Sequence, residues 1–202
     1  MSGRIKKSNP RIHCTDANYR EKAFPHLMKD FKGRCAYSLV HTDLAGGETC
    51  MEVDHFKPKK KFPKKAHSYK NLMLASRSCN LAKGEEWPSP KMKKQGFEFI
   101  NPCEEIDYGK HIFENIETGE LVAATPKGCY QINKCMLNAK HLVTQRKERT
   151  EILALLKSHK PVSLPDSITS IKEAEKELEI LISKVSYIKE KYIPYIPPPP
   201  NK

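Results

Sequence analysis

The chain has 202 residues, of which 38% are hydrophobic and 30% charged, with a formal net charge of +12 and a pI of about 9.3. That length holds one domain, or a small domain with extensions, and the charge excess favours a polyanionic partner, most simply nucleic acid. No apolar run approaches the roughly 20 residues of a membrane span, and the basic start MSGRIKKSNPRIH has no apolar segment behind it, so neither membrane insertion nor a secretory signal is expected. Seven cysteines, at positions 14, 35, 50, 79, 103, 129 and 135, include no Cys-x-x-Cys. An odd set of this kind argues against a disulfide framework, and a cytoplasmic location is expected.

Residues 1–16 are basic and irregular. From Asn18 to Phe31, Phe24, Leu27, Met28 and Phe31 recur at helical spacing, and Pro25 suggests that the helix starts there. Lys32-Gly33-Arg34 is a turn, Cys35 to Val40 a short strand or knuckle, and Ala45-Gly46-Gly47 a loop. Met51 to Phe56 alternates and reads as a strand that stops before Pro58. A loop rich in lysine follows. Leu72 to Ala75 is a second strand-length run, and Ser76 is a candidate cap for a helix over 77–86, closed by Trp87-Pro88. Beyond it, WPSP is an exit turn and Phe97 to Ile100 reads as a strand ending at Asn101-Pro102. His111 to Asn115 and Glu120 to Ala123 form a hairpin around Thr118-Gly119, and a helix runs from about Asn138 to Lys157 with a mixed apolar and basic face. Residues 158–170 look like a linker. Ile171, Ala174, Leu178, Leu181, Val185, Ile188 and Tyr192 then give a heptad stripe, before the extended tail IPYIPPPPNK. The divisions expected are 1–33, 34–90, 91–160 and 161–202.

Chemistry concentrates between Glu52 and Gly84, in the order strand, basic loop, strand, helix. Asp54 and His55 end the first strand, Asn71 precedes the second, and Asn80 lies about one turn into the helix. Oxygen donors such as Asp54 and Asn80 suit a hard divalent cation that keeps its waters and also binds phosphate. A neutral imidazole nearby can take a proton from water, and the metal can stabilise a departing oxygen. Those are the parts needed to hydrolyse a phosphodiester.

EVDHFKP, Asn71 and CNLAKG, in this order over about thirty residues, resemble an HNH nuclease, the ββα-metal finger family. The resemblance implies an α+β fold: a ββα-metal core with flanking helices, a small β-hairpin and a C-terminal amphipathic helix. It implies Asp54 and Asn80 as metal ligands, His55 as general base and Asn71 as the brace of the loop that holds the base. The metal expected is Mg²⁺, with Mn²⁺ as the alternative. Many such proteins also carry two Cys-x-x-Cys pairs that hold a structural zinc. Here the pairs read Cys35-Ala-Tyr-Ser38 and Ser76-Arg-Ser-Cys79, a degenerate zinc knuckle. A zinc would need Cys50, His41 or another residue to complete its ligands. No structural zinc is therefore expected, with Cys35 and Cys79 left as small packing residues.

Six lysines fall within 57–65. Lys57, Lys59, Lys60 and Lys61, with Lys83 on the helix, are expected to contact phosphate, which positions a backbone without reading sequence. His67 is a secondary catalytic candidate. FINPCEE, HIFEN with TGELV, TPKG, MLNAKHLVTQR and the start RIKKSNP resemble one HNH subgroup over residues 4–157, that of retron-linked and Septu-type anti-phage systems. The subgroup implies an ABC-type ATPase partner and, in retron versions, a reverse transcriptase with its DNA–RNA product. The expected function is metal-dependent cleavage of nucleic acid, DNA before RNA. The alternatives are a catalytically weak finger that only grips nucleic acid, and a scaffold subunit assembled through the heptad helix.

Overall fold

A computed structural model describes residues 5–8, 10, 12, 14, 15 and 17–158, and positions 175, 176, 178–180 and 182–186. Its fold is α+β. Helix α1 (Tyr19–Asp30) and a short α2 (Thr42–Ala45) precede β1 (Met51–His55). The strand β2 (Leu72–Ser76) and helix α3 (Arg77–Lys83) complete a ββα unit. After it come α4 (Pro90–Lys94), the hairpin β3 (Ile112–Glu114) and β4 (Leu121–Ala123), α5 (Pro126–Lys134) and α6 (Lys140–Ser158).

The two strands of the ββα unit pair antiparallel, from Met51 opposite Ser76 to His55 opposite Leu72. All five residues of β2 are buried, whereas Glu52 and His55 of β1 are only half-buried. The sheet is therefore covered on both sides: α1 lies on one face with Ala23 and Leu27 buried, and α3 on the other. Ser76 caps α3 by accepting from the Cys79 amide, as its position at the strand end suggests. The helix stops at Lys83, three residues short of the 77–86 expectation, because Gly84 turns the chain at φ +48°.

One buried cluster runs from Ala23 to Leu142, so the regions at 34–90 and 91–160 share a core. An aromatic seam joins them. Phe56 meets Trp87 at 5.7 Å and Phe99 at 6.5 Å, and Phe99 meets Tyr130 of α5 at 4.9 Å between centroids. Gly128 lets α5 sit against the hairpin, since a Cβ there would lie 2.0 Å from the His111 carbonyl oxygen. Gly119, at φ +71°, makes the expected hairpin turn. There α6 clasps the hairpin: Arg146 Nε donates 2.6 Å to the Gly119 carbonyl, and Arg149 pairs with buried Glu114.

Three expectations change, and one open alternative is decided. Helix α1 begins at Tyr19, and Pro25 lies inside it. Burial of Ala23 and Leu27 on the sheet offsets the hydrogen bond that Pro25 cannot make. Residues 35–40 form a knuckle turn, with Leu39 at φ +61°. Residues 97–100 are not a strand: Phe99 and Ile100 are buried as expected, but Ile100 donates to the Gln131 side chain at 2.9 Å rather than to a neighbouring strand. Helices α2, α4 and α5 occupy stretches read as loop or left unassigned. The described positions within 175–186 are helical, with Leu178 and Ile182 exposed. Ile171, Ala174, Leu181, Ile188 and Tyr192 of the heptad stripe lie outside the described residues, as do residues 159–170 of the linker and the tail. Among the described residues no helix is long and apolar enough to cross a membrane.

Candidate active site

Side chains of a strand alternate between its faces, and β1 divides its polar residues accordingly. Glu52 and Asp54 meet α3, while His55 meets α1 and the loop. His55 Nε2 lies 2.9 Å from the Ala66 carbonyl oxygen, and its ring centroid lies 5.0 Å from that of Tyr19. A carbonyl oxygen only accepts, so Nε2 carries the proton and Nδ1 keeps its lone pair. Burial lowers the imidazole pKa from 6.5, with the Lys59 and Lys83 charges acting in the same direction and the Ala66 bond and Asp54 opposing it. His55 is thus held as a neutral base of fixed tautomer.

Asn71 sets the loop that presents Ala66. Its Oδ1 accepts from the Lys57 amide at 2.9 Å, and its Nδ2 donates to the Lys57 carbonyl at 3.0 Å and the Lys65 carbonyl at 3.3 Å. The amide therefore clamps the loop where it leaves β1 and again one residue before Ala66.

The opposite face is less simple than the sequence suggests. Asn80 Nδ2 donates to Glu52 Oε2 at 2.6 Å, and the Arg77 Nε lies 3.9 Å from Glu52 Oε1. Asp54 is 5% exposed. Lys83, which is fully buried, donates 2.9 Å to Asp54 Oδ1 and 2.9 Å to the His55 carbonyl, and its ammonium lies 2.9 Å from Asp54 Oδ2. The Tyr37 hydroxyl also donates to Asp54 Oδ2. Burial, and then the Asp54 charge, raise the Tyr37 pKa well above its ordinary value, which keeps it a donor.

Two of the expected site residues therefore sit in surroundings that the sequence does not announce. Lys83, expected at phosphate, is fully buried, with its ammonium donating to Asp54 and to the strand end and lying within 6 Å of the Tyr37 and Phe99 rings. Asp54, expected as a ligand beside Asn80, has its oxygens engaged by the buried Lys83 ammonium and the Tyr37 hydroxyl. The structure joins Asn80 to Glu52 instead. Sequence reading missed Glu52, although its position two residues before Asp54 puts it on the same face of the strand.

Whether the site suits a divalent cation turns on this pair. Glu52 and Asn80 are oxygen donors, and both are half-buried rather than sealed. Among the described residues no group of three or more His, Cys, Asp or Glu could hold a metal. One carboxylate and one amide oxygen fit Mg²⁺ or Mn²⁺ with waters and substrate oxygens in the remaining positions, and do not fit an all-protein cage.

The rim is basic. Lys59, Lys60 and Lys61 are exposed, and Lys60 pairs with Glu85 at 2.8 Å. Lys57 differs: its ammonium lies 5.7 Å from the Phe62 and Trp87 rings, and burial followed by Lys65 lowers its pKa. His67 is exposed on the same loop.

The knuckle packs around its two sulfurs. Cys35 and Cys79 are fully buried. The Cys35 sulfur accepts from the Tyr37 amide at 3.4 Å, the Ser38 amide at 3.5 Å and the Ser76 hydroxyl at 3.6 Å. Burial pushes the Cys35 pKa up, but hydrogen bonds from Cys79, Ser38 and Ser76 outweigh it and bring it to about 5. Cys79 shifts well above its usual value, chiefly because it donates to Cys35. Hydrogen bonds to the Cys35 sulfur thus line this side of the knuckle. Of the candidates to complete a zinc set, His41 caps α2 by accepting from the Asp43 amide at 3.3 Å, and Cys50 is half-buried just before β1. We expect Ser38→Cys with Ser76→Cys to restore a four-thiolate site. Zinc should then raise the melting temperature by at least about 5 °C, the shift that roughly 2 kcal/mol makes in a chain of this size, and should leave the wild type unchanged.

Residues 33–86 match the family model of HNH endonucleases, about a quarter of the 202-residue chain, spanning the knuckle, both strands and α3. No curated protein matches the chain.

Proposed function

From an HNH endonuclease domain at residues 33–86, we propose that this chain is a metal-dependent nuclease that hydrolyses nucleic-acid phosphodiester bonds, DNA before RNA. The observation that carries the proposal is His55, neutral and with Nδ1 left as acceptor, at the end of a strand whose other face offers oxygen donors. In this reading His55 Nδ1 takes the proton of the attacking water. Asn71 keeps Ala66 in place, so the imidazole is pre-oriented rather than recruited. Asn80 and Glu52 hold the ion, and Asp54 acts through Lys83 by fixing the strand end that carries His55. A divalent ion bound there supplies the charge that polarises the phosphate and stabilises the leaving oxygen. Lys59, Lys60 and Lys61 draw the backbone in by charge alone, so binding should weaken steeply with salt.

Asn71→Ala removes three hydrogen bonds to the backbone. We expect it to cost about 1–3 kcal/mol of stability and to lower kcat roughly tenfold with little change in KM, read by steady-state cleavage.

The resemblance of FINPCEE, HIFEN, TGELV and MLNAKHLVTQR supports a finer reading: an effector of a retron- or Septu-type anti-phage system. That reading brings an ABC-type ATPase partner and, in a retron setting, a reverse transcriptase with its DNA–RNA product. A second reading, a nucleic-acid-binding subunit without turnover, is favoured by the closed Asp54–Lys83 pair and by Ser38 and Ser76 standing at two corners of the knuckle. Purified protein incubated with DNA and RNA pools, with and without the ATPase encoded beside it, separates them. Turnover in Mg²⁺ that EDTA stops supports the nuclease, and retention of nucleic acid without turnover under every condition supports the binding subunit.

A further inference from the structure

The geometry points to Glu52 as the positioning residue that turns Asn80 toward the ion, an inference that rests on the metal-dependent reading of this site. Asn80 can offer a cation only its amide oxygen, yet an amide side chain has two ends of nearly equal size. At neutral pH the Glu52 carboxylate has no hydrogen to donate, so the group 2.6 Å from Oε2 must be the Asn80 NH₂. The reversed amide would set two oxygens against each other beside a negative charge. The hydrogen bond therefore fixes one orientation, with Nδ2 on Glu52 and Oδ1 directed away from it.

The surroundings keep Glu52 available for this task. Asp54, on the same face of β1, has its oxygens engaged by Lys83 and Tyr37. Arg77 Nε lies 3.9 Å from the other Glu52 oxygen. Glu52 is on a strand and Asn80 on the helix packed against it, so the bond also sets the depth at which Oδ1 is presented. Metal ligands commonly depend on such supporting contacts, and loss of one weakens metal affinity about 10- to 100-fold.

Glu52→Gln is the informative substitution. Glutamine keeps the size of the side chain but can both donate and accept, so Asn80 loses its preference between the two orientations. The test is Mn²⁺ binding to the metal-free protein, measured by calorimetric titration and electron paramagnetic resonance, for wild type, Glu52→Gln, Asn80→Ala and the double variant, with circular dichroism to establish folding. We expect Glu52→Gln to weaken Mn²⁺ about 10- to 100-fold and Asn80→Ala at least as much. The double variant should bind more weakly than Asn80→Ala by clearly less than the full Glu52→Gln factor, because part of what Glu52 contributes acts through Asn80. Unchanged affinity in folded Glu52→Gln overturns the inference. So does a double variant weaker than Asn80→Ala by the full Glu52→Gln factor, which makes Glu52 an independent ligand. Wild-type protein that binds no Mn²⁺ overturns both the inference and the metal-dependent reading. Wild-type protein that binds Mn²⁺ through this coupled pair but cleaves nothing supports the inference and removes only the nuclease.

Discussion

His55→Ala should lower cleavage about 100- to 10,000-fold, the usual worth of a positioned general base, while costing no more than about 1–2 kcal/mol of stability. The expected split follows from what the ring touches. It makes one hydrogen bond, to the Ala66 carbonyl, and one ring contact, to Tyr19, and it is only half-buried. Neither contact anchors the core, which is built from β2 and the α1 face beneath it. The same environment sets the pH dependence. Burial lowers the His55 pKa from 6.5, so the acid limb of the pH–rate profile should have its midpoint below pH 6.5. The sign for stability is the same: the unfolded chain takes up the proton more readily, so His55 contributes stability that is lost as pH falls from about 6.5 through the folded-state value. His55→Ala should remove that acid limb along with the activity. Steady-state rates between pH 5 and 8, with thermal melts of both proteins, check each part.

Lys83→Met carries the largest expected loss of stability, about 3–5 kcal/mol. Removing the ammonium leaves Asp54, 5% exposed, as a buried carboxylate whose remaining partner is the Tyr37 hydroxyl, and frees the His55 carbonyl. At about 2–4 °C per kcal/mol for a chain of this size, the melting temperature should fall by roughly 6–20 °C. Because Lys83 also ties α3 to the end of β1, cleavage should fall in whatever fraction remains folded. Replacing both charges, as Lys83→Met with Asp54→Asn, should recover much of the stability, since the cost lies in the orphaned charge rather than in the absent pair. A double variant no more stable than Lys83→Met would show that Asp54 is not the charge Lys83 neutralises.

Much of this arrangement was legible locally. The alternation of Met51 to Phe56, the apolar run before Ser76 and the Ser76 cap gave β1, β2 and α3 within a few residues, because each is specified by its own neighbours. The Thr118-Gly119 turn gave the hairpin for the same reason. The misses share a different cause, in that packing between distant segments decided them. Lysine and aspartate are ordinarily exposed, so nothing near Lys83 announces that it will be buried on a carboxylate 29 residues away. Arg146 and Arg149 read as a basic face of α6, yet both turn into the hairpin. Phe97 to Ile100 has the pattern of a strand and its last two residues are buried, but among the described residues no neighbouring strand completes a ladder. Pro25 marked a helix start by local rules that burial of α1 on the sheet overrode. Glu52 was within reach of the period-two rule, since it lies two residues before Asp54 on the same face of β1.

The most direct test of a nuclease built around His55 is the cleavage rate of the purified chain on DNA and RNA, for wild type and folded His55→Ala, in Mg²⁺ or Mn²⁺ and in EDTA. Cleavage by the wild type that EDTA stops, added metal restores and His55→Ala reduces at least about 100-fold is the result expected. Cleavage that survives in His55→Ala at the wild-type rate would contradict it.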